Sequence, residues 1–250
     1  MEALVRRQDP KELSKANGIL SSAASYFYKN ICPIRTEKPE IILLEGLRSE
    51  EGMFGYYFSG KLVIDPDYGI NEKTIPHEFF HHLQEAVGNT PSIKYHMLSA
   101  DQKAVKEAGP NLFAALYMSR DIEDPERVFF IVDFLNTKYS DKWDPLDLAL
   151  ARYGEYNRAK PTFPRPSKDI HIPTYAEGKA IALLSIASCG LDMHASARQL
   201  LEDPAGVLRQ LEEAARKDKD LIILSRLNEL KSMHNRPSFL LKDIASVART

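Results

Sequence analysis

The 250-residue chain is 44% apolar and 27% charged, an ordinary globular mix, and it is long enough to bury a sizeable core. Its formal net charge is −2. This excludes the strong basic excess that nucleic acid or an anionic membrane requires of a main partner. No apolar run approaches the roughly 18 residues of a membrane span.

The first clear element is an amphipathic helix over residues 10–29, with Leu13, Ala16, Ile19, Leu20, Ala23, Ala24 and Phe27 at helical spacing. Cys32-Pro33 closes it. Cys32 and Cys189, too few for a disulfide framework or a cysteine metal site, fit reduced thiols. With no charged start leading into a long apolar stretch, the N-terminus carries no signal-peptide pattern, and a cytoplasmic location is expected. Residues 41–44 read as a buried strand. Residues 54–59 and 61–65 alternate apolar and polar positions around Ser59-Gly60, the pattern of a β-hairpin. Asp65-Pro66-Asp67-Tyr68-Gly69 has turn chemistry.

A helix follows over 75–87, with Pro76 in its first turn and Gly88 as a left-handed cap. Beyond it the pattern is almost all helical. Ser99 with Gln102 forms a capping-box signature for a helix to about 108, which Gly109-Pro110 is expected to break before a second helix at 111–118. Helices are expected at 125–139 and 145–158. Pro161, Pro164, Pro166 and Pro173 then mark an extended loop, expected to border a substrate cleft. Further helices are expected at 174–188, 195–202, 204–217, 221–231 and 238–247. The fold class read from this order is α+β: a small β-containing N-terminal part, 1–90, and a mainly helical part, 91–250, within one domain.

The chemistry lies on the helix at 75–87, which reads Pro76-His77-Glu78-Phe79-Phe80-His81-His82-Leu83-Gln84. It contains H-E-x-x-H. Residues i and i+4 share a helix face about one turn apart, so the imidazoles of His77 and His81 can meet one Zn²⁺ at about 2.0–2.1 Å each. Glu78 is rotated by about 100° from His77. Its carboxylate can lean over the open side of the metal and serve as general base for a metal-activated water.

The segment resembles the active-site helix of the zincin metallopeptidases, in which a strand-rich upper part precedes that helix and a helical lower part follows. The resemblance covers about residues 54–88, with a weaker piece at 174–182. Metzincins carry a glycine and a third histidine where this chain has Gln84 and Val87, so the resemblance is to the gluzincin group. It implies a zincin-like fold and a zinc-dependent peptidase. It also implies a glutamate from a later helix as third metal ligand. Glu177, in Tyr175-Ala176-Glu177-Gly178-Lys179-Ala180, resembles the E-G-x-A of the gluzincin glutamate helix, and its small neighbours favour close helix approach. Glu177 is the expected third ligand; Glu107, in Lys106-Glu107-Ala108, is the alternative, set second because Gly109-Pro110 is expected to end its helix. Peptides or unfolded proteins are the implied substrates, with the hairpin offering an edge strand to an extended chain. The rival reading is a regulatory or binding protein of the same fold that keeps zinc and hydrolyses little.

The remaining candidates have plainer readings. His82 is rotated off the ligand face and Glu85 lies too far along the axis, so both read as non-ligands. His96, His171, His194 and His234 are scattered surface or core histidines. Tyr175 and His171 are candidate oxyanion donors. Phe129, Phe130 and Trp143 read as core.

Overall fold

A computed structural model describes residues 5–7, 9–48, 53–88, 98–138, 144–158, 171–217 and 221–235. The expected helix at 238–247, the side chains of His96, Trp143 and His171, and most of the proline-rich stretch lie outside the described residues. The chain is α+β, a small mixed sheet in its N-terminal part followed by helices. Contacts divide it into two compact units, Met1–Pro91 and Ser92–Thr250.

In the first unit, helix α1 (Pro10–Asn30) is started by Asp9, whose Oδ1 accepts from the Lys11 N–H at 2.8 Å, with Pro10 at the first helical position. Its buried seam is Ala16, Leu20, Ala23 and Phe27. The expected face was wider: Ile19 and Ala24 flank the seam half-buried. The sheet runs in the order β1-β2-β4-β3. Strand β1 (Val5–Arg7) is antiparallel to β2 (Glu40–Glu45), and β2 is parallel to β4 (Lys61–Ile64).

Strand β3 (Gly55–Phe58) closes the expected hairpin with β4, pairing Phe58 with Lys61. Ser59 and Gly60 both have positive φ, 47° and 79°. This is the two-residue turn whose twist matches that of the flanking strands. Buried Asp65 ties the exit from β4: its Oδ1 accepts from the Asp67 and Tyr68 N–H groups, and its Oδ2 from that of Arg48. The turn expected at 65–69 is built on this carboxylate. Helix α2 (Thr74–Ala86) follows. Phe27 of α1 meets Phe79 and Phe80 of α2 edge-on, with ring centroids 6.4 and 6.2 Å away, so the two helices share one aromatic core.

The second unit begins with α3 (Ala100–Met118), entered through the expected capping box: Ser99 Oγ accepts from the Gln102 N–H, and Gln102 Oε1 accepts from the Ser99 N–H. The break expected at Gly109-Pro110 does not occur, and α3 runs through Pro110 as one helix. Asn111 reaches back to donate to the Glu107 carbonyl at 2.8 Å. Downstream, Leu112, Phe113, Ala114, Ala115, Leu116 and Tyr117 are all buried. An interior proline costs about 3 kcal/mol, and each fully buried large apolar side chain returns about 1.5–3 kcal/mol, so packing overrides the local signal.

Around α3 lie α4 (Glu126–Asn136), α5 (Pro145–Arg158), α6 (His171–Ser188), α7 (Met193–Glu202), α8 (Pro204–Arg216) and α9 (Leu221–His234). Helix α6 starts earlier than expected and takes Pro173 into its first turn, where a missing N–H is tolerated. It is the central helix: Ala176 and Ala180 to Ala187 are buried on every side. Its one buried cation, Lys179, is 2% exposed and donates to the Phe134 and Thr137 carbonyls at the end of α4. There a positive charge complements the helix dipole. Cys32 and Cys189 are both free thiols. Burial pushes the Cys189 thiol up, and its Sγ donates to Gln199 Oε1. No single described helix is long and apolar enough to cross a membrane.

His194, at the start of α7, carries a pH dependence. Burial, and then the Arg127 guanidinium with Nη2 3.4 Å from its Nε2, hold its pKa below the ordinary 6.5. As pH falls through about 6.5 the unfolded chain takes up this proton before the folded one does, so stability falls with acidification and levels off below the folded pKa. His194→Gln is therefore expected to lose less of its melting temperature between pH 7.5 and pH 5.5 than the wild type, read by thermal melts at both pH values. Equal losses would exclude this contribution.

Candidate metal centre

The geometry begins with the entry to α2. Asn71 Oδ1 accepts from the N–H groups of Lys73 and Thr74 at 2.9 and 2.7 Å, capping the helix from just before its first turn. One face of α2, Ile75, Phe79, Phe80 and Leu83, is buried apolar surface, and this fixes the rotation of the helix and so the direction of its histidines.

His77 and His81 stand one turn apart with ring centroids 5.1 Å apart and planes at 79°. His77 is half-buried; His81 and Glu78 are buried. His81 Nδ1 lies 2.9 Å from Oε1 of Gln84, which is also buried. Gln84 was read from sequence only as a residue that rules out a subtype. Its contact with His81, at i+3 on the same helix face, could have been read from the spacing alone.

His82 is taken out of the ligand pool, as its rotation implied. Its Nε2 donates to the Glu37 carbonyl at 2.7 Å and lies 3.2 Å from Thr36 Oγ1, and its Nδ1 is 3.3 Å from the Tyr57 hydroxyl. The ring stacks on Phe79. Tyr57 accepts from the Gly60 N–H at the hairpin turn. Burial, and then a hydrogen bond to the exposed Glu85 carboxylate, push the Tyr57 phenol up to about 12, so it is a neutral donor throughout the physiological range.

Among the described residues one group can hold a metal ion: His77, His81 and Glu107, whose ligand atoms all lie within 4.8 Å of one another. Glu107 is 3% exposed. A tetrahedral ion with bonds of about 2.0–2.2 Å sets its ligand atoms about 3.3–3.6 Å apart. Two imidazoles and a carboxylate are also a donor set that suits Zn²⁺.

The carboxylate that the structure gathers with the histidines is thus Glu107. Glu177 is half-buried and outside the group. The small residues around Glu177 do serve a close approach, but to α3. A Cβ on Gly178 would sit 2.8 Å from Glu107 Cβ and 3.1 Å from the Ala104 carbonyl oxygen. Only glycine lets α6 lie this close to the turn of α3 that carries Glu107. Tyr175 is half-buried on α6.

Comparison with protein families, with curated proteins and with solved structures found no match.

Proposed function

We propose that this protein is a zinc-dependent peptidase of the gluzincin type, with a zincin-like fold, His77, His81 and Glu107 as metal ligands and Glu78 as general base. The observation that carries this reading is the grouping of two histidines, one turn apart on a helix, with a buried glutamate from a later helix. Zinc bound there supplies a lowered water pKa and polarises the scissile carbonyl. Glu78 lies between the two histidines in sequence and about 100° off their shared face. Its carboxylate accepts the proton of the attacking water and returns it to the leaving amine. The substrate is a peptide or an unfolded chain. Strand β3 is at the edge of its sheet and offers backbone groups to an extended segment.

The test is purification with metal analysis, followed by turnover of an unfolded protein and a peptide library with and without a zinc chelator. About one zinc per chain and chelator-sensitive cleavage are expected. Zinc without cleavage would replace the peptidase with a binding or regulatory role, and a protein that takes up no zinc at neutral pH would remove the reading altogether.

A further inference from the structure

We propose that Gln84 is a positioning residue that fixes which nitrogen of His81 meets the metal, and that the cage around His82 keeps that neighbouring histidine in the opposite tautomer. This rests on the zinc reading above. A neutral imidazole carries one N–H and one lone pair, and only the lone pair can bind a metal. Gln84 Oε1 can only accept a hydrogen bond, and at 2.9 Å it places the proton of His81 on Nδ1. The lone pair of His81 is then on Nε2. The contact joins two buried side chains, His81 at 8% and Gln84 at 3% exposure, so water competes weakly for it.

His82 is held the other way. The Glu37 carbonyl also only accepts, and at 2.7 Å from Nε2 it places the proton of His82 there. Thr36 Oγ1 lies on the same nitrogen, and the Tyr57 hydroxyl, whose one proton is shared between the Nδ1 lone pair and the Glu85 carboxylate, closes the other side. Two adjacent histidines on one helix thus carry their protons on opposite nitrogens. One is prepared for a metal and the other is committed to joining α2 to the segment before β2 and to the hairpin. Outer partners of this kind are worth about 10–100-fold in metal affinity.

The experiment combines long-range ¹H–¹⁵N spectra of the metal-free, histidine-labelled protein with zinc titration against a competing chelator. It is run on the wild type, Gln84→Leu and Gln84→Glu. In the wild type His81 is expected to carry its proton on Nδ1 and His82 on Nε2. Gln84→Glu still accepts from Nδ1 and should keep the tautomer and the zinc affinity within a few-fold. Gln84→Leu should release His81 to the Nε2–H form that a free imidazole favours, and weaken zinc by about 10–100-fold. A residue that merely packs would show the reverse order, with leucine harmless and the buried glutamate damaging. That order would overturn the proposal, as would an Nε2–H form of His81 in the wild type, which needs no variant to observe. A wild type that binds no zinc, with His81 protonated on Nδ1, would overturn the metal reading itself and with it the role of Gln84 at a metal.

Discussion

Glu78→Gln is expected to leave zinc content unchanged and to lower peptide hydrolysis by about 10²–10⁴-fold, the usual contribution of a general base. The substitution keeps shape and hydrogen-bonding reach but removes the capacity to accept a proton. Glu78 is buried on α2, next to His77 in sequence and outside the group His77, His81 and Glu107. Its loss should therefore act on rate and spare metal affinity. The measurements are kcat on a peptide cleaved by the wild type and zinc per chain by metal analysis, made on the same preparation. Full activity in Glu78→Gln would remove this carboxylate from the mechanism. Loss of zinc together with activity would instead make Glu78 part of the metal site.

Glu107→Ala is expected to weaken zinc by more than the about 10–100-fold that an outer partner is worth, while Glu177→Ala stays within a few-fold of the wild type. The first removes one of three ligand atoms from the group with the histidines; the second removes a half-buried carboxylate outside it. Zinc titration of both variants, with circular dichroism to confirm that each is folded, decides between them. Metal lost from Glu177→Ala and kept by Glu107→Ala would return the third ligand to α6. Wild-type affinity in both would send the search to another side chain.

Much of the fold was legible because its signals are local. The seam of α1, the alternation flanking Ser59-Gly60, the Ser99–Gln102 capping box and the histidine spacing on α2 each lie within one element, and each appears where the pattern places it. What could not be read depends on partners distant in sequence. Strand β1 is three residues long and exists by pairing with β2, so it has no pattern of its own. Pro110 looks like a stop, and only the burial of the residues after it shows why the helix continues. The small residues at 176, 178 and 180 announce a close helix contact without naming the partner. That partner is α3, and the contact seats the helix that carries Glu107. The commitment of His82 is set by Thr36, Glu37 and Tyr57, more than twenty positions away, and no inspection of α2 alone would find it.

The enclosure of α6 has a consequence for how the second unit comes apart. A helix at the surface can fray from one end while its neighbours hold, because its outer side already faces water. From Ala180 to Ala187 helix α6 has no such side, and Lys179 fastens it to the end of α4 as well. To release it, the helices around it must move first. To release α3, the Gly178 contact must part. Amide hydrogens along this stretch of α6 and along the facing turns of α3 belong to openings that require the whole unit. Glu107 therefore sits on the part of the helical unit that local fluctuation reaches last, beside the Gly178 contact.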